Sequence, residues 1–137
     1  DLSEFKTLFK VEDDLKLDID SHDFSKVKRN ISQSQEITNR IDGCVIVKGQ
    51  FDLILFKNKF KINKTGNPGM TVGGTGDALA GSCGGLLSQG LSSFDAATLA
   101  VFINGLAGNE AFKEYGNGFS ATNLVSYIAN VIKKGLN

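Results

Sequence analysis

The chain holds little of what marks a metal, redox or nucleic-acid protein. It has one histidine and two cysteines in 137 residues. His22 stands in the polar turn Asp20-Ser21-His22-Asp23, a solvated surface position. Cys44 and Cys83 lie in apolar runs without a CxxC pairing or a histidine near them, so buried free thiols are expected rather than a disulfide or metal site. Net charge is absent as well: 15 basic residues balance 15 acidic ones. Neither a nucleic-acid footprint nor an attraction to anionic membranes follows. Leu99 to Leu106 is too short, and too interrupted by Asn104 and Gly105, to span a bilayer. No signal-peptide pattern opens the chain, and the expectation is a cytoplasmic protein. With 41% hydrophobic and 22% charged residues, residues 1–137 suit one globular domain.

The most telling absence is local. From Thr65 to Asn109 there is no lysine or arginine, and only two acids, Asp77 and Asp95. Inside that stretch lies Gly66-Asn67-Pro68-Gly69-Met70-Thr71-Val72-Gly73-Gly74-Thr75-Gly76-Asp77, followed by the apolar Ala78-Leu79-Ala80. Glycine costs more backbone entropy than any other residue, so such a cluster needs a reason. Bare amides gathered before a helix form a site for an anion. Asp77 would stand at the helix start, either as a cap or as an acid/base group beside bound phosphate. Asp95 has a structural account, because Ser92-Ser93-Phe94-Asp95 reads as a capping box.

Around this loop the pattern is α/β. Ser3–Phe9 reads as a short helix with Phe5, Leu8 and Phe9 on one face, and Val11–Asp20 as an acidic surface excursion. Phe24, Val27 and Ile31 keep helical spacing toward Ile37, with Asp42-Gly43 as the stop. Cys44-Val45-Ile46-Val47 reads as a strand covered on both faces, hence part of a parallel sheet. Leu53–Phe56 and Phe60–Ile62 read as a hairpin across Lys57-Asn58-Lys59. A helix is expected from Asp77 to about Gln89, ended by Gly90. Its Gly81, Gly84 and Gly85 each cost about 1 kcal/mol against alanine, which suggests tight packing or ligand contact. Ser93 to about Tyr115 is apolar nearly all round and should be buried on several sides. The last helix would be capped by Thr122, bury Leu124, Val125, Ile128, Val131 and Ile132, and end at Gly135. One clear strand and a hairpin are too few to cover these helices. The strand is therefore expected at a raw sheet edge or against another chain, with the site closed by upstream residues or another subunit.

Two standard phosphate motifs fail here. A Walker A loop needs lysine where Thr75 stands, and a dinucleotide GxGxxG needs glycine where Leu79 stands. Gly66 to Gly81 instead closely resembles the C-terminal signature of NAD(P)H-hydrate dehydratases of the ribokinase-like superfamily, in which a GN-x-GM segment precedes GGTGD. Val45-Ile46-Val47-Lys48-Gly49 with Asp52-Leu53-Ile54 resembles that family's strand and Lys-Gly element. The helix around Ala107-Gly108 and Ser120-Ala121-Thr122-Asn123-Leu124 resembles its end. Glu4-Phe5 resembles its substrate element, although Asp1 stands where histidine or asparagine is usual.

The resemblance implies a ribokinase-like three-layer α/β domain, with helices on both faces of the sheet, present as its C-terminal part. It implies dehydration of hydrated NADH or NADPH, the S epimer, with ADP as phosphoryl donor, yielding AMP and phosphate. Asp77 would be the general base and touch substrate together with Glu4. Nucleotide would contact Lys48, Gly49, Gln50, Phe51 and Asp52, and the loop Asn67, Pro68, Gly69, Met70, Thr71, Val72, Gly73, Gly74, Thr75 and Gly76. Mg²⁺ would offset charge that a loop without lysine or arginine cannot. The partners implied are the hydrate and an adenine nucleotide, with no nucleic acid or membrane, and either a homo-oligomer or an N-terminal segment outside this chain. The alternatives are a small-molecule kinase of the same superfamily and a nucleotide-binding fragment without turnover.

Overall fold

The computed structural model describes residues 31–135 apart from 33 and 37. The readings for Glu4, His22 and the helix Ser3–Phe9 lie outside the described residues. The chain divides into two compact units, Asp1–Ile62 and Asn63–Asn137.

The described part of the first unit is helical up to Thr38 and then turns through residues 39–43. Three strands follow in the order β1-β2-β3: β1 Val45–Val47, β2 Asp52–Phe56 and β3 Lys59–Asn63. The hairpin is where the sequence predicts it, closed by Lys57-Asn58 with Lys57 at φ 49. The strand reading needs correction. β1 pairs antiparallel with β2, Ile46 opposite Ile54, so the described strands form a meander and not a parallel sheet. The strand buried on both faces is β2, where consecutive Leu53, Ile54 and Leu55 are each at most 1% exposed. A run of aliphatic β-formers predicts burial, and such a run occurs in both strands. β1 ends the order among the described strands, as an edge strand does.

The second unit is helical: α1 Thr75–Ser88, α2 Ser93–Tyr115 and α3 Ala121–Gly135. Local chemistry sets their ends. Gly90, at φ 89, ends α1; its amide donates to Leu87 O and that of Leu91 to Leu86 O, which is the Schellman pattern. Ser92 caps α2, its hydroxyl accepting from the Asp95 amide at 3.2 Å and donating to Asp95 Oδ2 at 2.6 Å. The cap of α3 is Ser120, not Thr122. Ser120 Oγ accepts from Asn123 N, and Asn123 Oδ1 accepts from Ser120 N at 2.9 Å. Ala107 and Ala111 of α2, Phe119 and Leu124 form the core, with Met70, Ala78, Tyr127, Ile128 and Val131 packed against it.

Two burial readings change. The inner face of α3 runs through Leu124, Tyr127, Ile128 and Val131, whereas Val125 and Ile132 are exposed. That is the i, i+3, i+4, i+7 set, and the two excluded residues fall outside its arc. α2 buries one broad face, from Ala96 through Ala111, and leaves Leu99, Phe102 and Phe112 exposed.

Candidate functional site

The segment from Asn63 to Met70 hangs on α2 through its alternate residues. Asn63 is buried, and its Nδ2 donates to Thr65 O and to Val101 O on α2. The Thr65 hydroxyl donates to Asn63 Oδ1 at 2.8 Å and lies 3.3 Å from Phe102 O. Asn67 Nδ2 donates to Asn109 Oδ1 at 3.0 Å. Two helix glycines allow this approach. A Cβ on Gly105 would lie 2.7 Å from the Thr65 carbonyl carbon, and one on Gly108 would lie 2.7 Å from Met70 Cγ. Both distances are below what real Cβ contacts show, so glycine here admits another segment rather than freeing the backbone.

Past this scaffold the chain makes one 3-10 turn, Pro68–Met70. Asn67 caps it, its Oδ1 accepting from Gly69 N at 3.0 Å. Gly69 is buried, and a Cβ there would lie 2.9 Å from Phe119 Cε1. Thr75, 3% exposed, turns its hydroxyl inward to Met70 O at 2.9 Å and Val72 O at 3.0 Å. The side chains of Asn67, Met70 and Thr75 are thus committed to the loop's own frame. Pro68, Thr71, Val72, Gly73, Gly76 and Asp77 are the exposed positions.

α1 starts two residues earlier than the sequence predicts, and this changes the standing of Asp77. The N-cap is Gly74, in the left-handed region at φ 92 and without a side-chain cap. Asp77 therefore occupies the third helical position and is not the cap. The first helical bond runs from Ala78 N to Gly74 O. Among the described residues nothing accepts from the amides of Gly73, Gly74, Gly76 and Asp77. Nor does any described residue hydrogen-bond or pair with the exposed Asp77 carboxylate. These open donors sit at the positive end of the helix dipole, with no lysine or arginine in the surrounding sequence from Thr65 to Asn109. The arrangement can accept an anion on the amides and leave one carboxylate free for proton transfer.

Lys48–Asp52 belongs to the first unit, where Lys48 is half-buried, Gly49 and Gln50 are exposed, and Asp52 begins β2. Among the described residues nothing lies within 4 Å of a Cβ added at Gly81, Gly84 or Gly85, so none of them packs tightly against α1 at these glycines. The close-packed helix glycines are Gly105 and Gly108, whose signal was present: two glycines three apart in an otherwise apolar helix. Cys44 and Cys83 are half-buried thiols outside any disulfide, and burial pushes the Cys83 thiol up. Among the described residues no three His, Cys, Asp or Glu side chains converge, and no helix is long and apolar enough to cross a membrane.

Known proteins resemble this chain in sequence and fold. The sequence profile described as NAD(P)H-hydrate dehydratase (Carb_kinase) matches residues 1–130. The chain is 46% identical over 134 residues, 98% of its length, to the bifunctional NAD(P)H-hydrate repair enzyme Nnr of Methanothermobacter thermautotrophicus, of which it covers 24%. It is 39% identical over 89 residues, 65% of its length, to the ADP-dependent (S)-NAD(P)H-hydrate dehydratase of Cenarchaeum symbiosum, of which it covers 31%. It thus spans about a quarter to a third of these curated relatives. The solved structure of Bacillus subtilis YxkO, a UPF0031 family member described there as a kinase candidate, superposes with a TM-score of 0.71 at 26% identity, over 78% of this chain and 41% of that one. The α/β architecture is accordingly that of part of a ribokinase-like domain.

Proposed function

The chain belongs to the NAD(P)H-hydrate dehydratase family, and from that premise we propose that it contributes the phosphate-binding loop and base of an ADP-dependent (S)-NAD(P)H-hydrate dehydratase. The observation that carries the proposal is the start of α1: the open amides of Gly73, Gly74, Gly76 and Asp77 beside a carboxylate that no described residue engages. Phosphoryl transfer is mainly positioning and charge stabilisation, which backbone donors can supply without a lysine.

Asp77 takes the proton from the hydroxyl of the hydrated nicotinamide ring as that oxygen attacks the terminal phosphoryl group of ADP. AMP leaves, and the phosphate ester then loses phosphate together with a proton from the neighbouring ring carbon, which passes to solvent, restoring the ring double bond. The amides of Gly73, Gly74 and Gly76 hold the transferring group's oxygens. Gly74 must keep its left-handed conformation for these amides to converge. Mg²⁺ would offset phosphate charge. Asp77 is the only carboxylate this loop offers, so the cation would be held mainly by phosphate oxygens and water, a common mode for this ion. Lys48–Asp52, in the first unit, is a second proposed nucleotide contact, tested separately by Lys48→Ala. The proposed setting is the cytoplasm.

The test is turnover of hydrated NADH with ADP and with ATP, for the parent and Asp77→Asn. Because Asp77 is not the cap, Asn should cost little stability. Turnover should fall at least about 100-fold, the scale of general-base catalysis, with ADP affinity nearly unchanged. ADP should serve better than ATP. Survival of activity in Asp77→Asn would remove the base assignment, and faster turnover with ATP would favour a kinase of the same superfamily.

A further inference from the structure

We infer that Asn109, in the middle of α2, is a positioning residue for the nucleotide loop and acts through Asn67. The inference rests on the reading of that loop as the phosphate site.

A chain of forced hydrogen-bond choices leads to it. The Gly69 amide can only donate, and at 3.0 Å it faces the Asn67 side chain. The atom it meets must therefore be the carbonyl oxygen Oδ1, which turns Asn67 Nδ2 the other way. Nδ2 can only donate in turn, so the Asn109 atom 3.0 Å from it must be Oδ1. The Gly69 amide thus selects the orientation of Asn67, and one acceptor on α2 holds its other end from 42 positions further along the chain.

Asn67 is where the loop's geometry is decided. It caps the turn Pro68–Met70, whose closing bonds run from Met70 N to Asn67 O and from Thr71 N to Pro68 O. That turn carries the chain to Val72 and Gly73, and Thr75 ties its end to the start of α1 through Met70 O. Gly69 is closely flanked, since a Cβ there would lie 2.9 Å from both Asn67 Oδ1 and Phe119 Cε1. With Gly69 fixed on one side and Asn109 on the other, Asn67 has a single state that satisfies every donor. Removing the Asn109 acceptor frees Asn67 to rotate, release the Gly69 amide and loosen the turn that presents the open amides. Among the described residues, Asn67–Asn109 is the only side-chain to side-chain hydrogen bond joining this loop to α2.

The experiment is a double-mutant cycle on ADP affinity, using Asn67→Ala, Asn109→Ala, the double variant and Asn109→Asp, with thermal stability measured alongside. Asn109→Ala should weaken ADP binding up to about tenfold, the scale of one intramolecular hydrogen bond. In the Asn67→Ala background the same change should add no more than about twofold, because its route of action is already gone. Asn109→Asp keeps an oxygen facing Asn67 and should bind within threefold of the parent. A role confined to folding would lower the melting temperature and leave the affinity of the folded protein alone. Unchanged affinity in Asn109→Ala, or losses that multiply in the double variant, overturns the inference. If Asn109→Ala does not fold, Asn109→Asp decides: affinity within threefold supports the inference, and a tenfold loss overturns it. Failure of the parent itself to bind ADP would overturn the nucleotide reading, and this inference with it.

Discussion

Replacing Gly105 with alanine should destabilise the protein, against the usual effect of that change in a helix. In an open helical position Gly→Ala gains about 1 kcal/mol. At Gly105 the new methyl would sit 2.7 Å from the Thr65 carbonyl carbon and 2.7 Å from Thr65 Cβ, and closer still to the Thr65 hydroxyl. Two of these are backbone or branch-point atoms, so rotating a side chain cannot relieve the clash. Overpacking of this kind costs about 1–3 kcal/mol. Pushing Thr65 outward also strains the bonds that Asn63 makes to Thr65 O and Val101 O, worth about 1 kcal/mol each and more if a buried group is left unpaired. After subtracting the propensity gain, the net loss is about 2–4 kcal/mol. The matched control is Gly84→Ala in α1, where nothing lies within 4 Å and the expected change is a gain of about 0.5–1 kcal/mol. Urea unfolding of both variants reads the difference. Equal or greater stability for Gly105→Ala, or a loss for Gly84→Ala, would refute the division between admitting and open glycines.

The remaining expectations concern the loop entry and the α2–α3 contact. Gly74→Ala should lower both stability and ADP affinity, because Gly74 has φ 92 and its Cβ would lie 2.8 Å from Ala121 Cβ; Gly90→Ala, strained at φ 89 but with open space around it, should lower stability and leave affinity unchanged, as calorimetry can tell. Tyr127 donates to Glu114 Oε2, which pushes the phenol up from 10.0 to about 12 and holds Glu114 below 4.5. The stabilisation from the raised phenol is present below pH 10.0 and lost as pH rises through about 12, whereas that from Glu114 is present above pH 4.5 and lost as pH falls through its lowered value. Tyr127→Phe should therefore be less stable between those limits and lack the parent's decline between pH 10.0 and about 12; identical stability–pH curves would dismiss the contact as energetically silent.

Features decided within a few residues were legible in the sequence. Ser93–Tyr115 was bounded by the Ser92–Asp95 capping box, and Gly90 stopped α1 because αL geometry at that point needs only glycine and the carbonyls just before it. The hairpin and the glycine loop feeding a helix were likewise local. What the sequence left open depended on partners distant along the chain. Gly81, Gly84, Gly85, Gly105 and Gly108 are the same residue in helical context, yet only the last two admit another segment, because Thr65 and Met70 come to rest there. Asp77 carried both a capping and a chemical reading until the left-handed turn at Gly74 started the helix early and moved it to the third position. β1 and β2 shared one aliphatic pattern, and only strand pairing made them antiparallel and buried β2 on both faces. Caps and turns are set by atoms a few bonds apart, whereas close approach and burial are set by whatever the fold brings alongside, and that lies outside any short window of sequence.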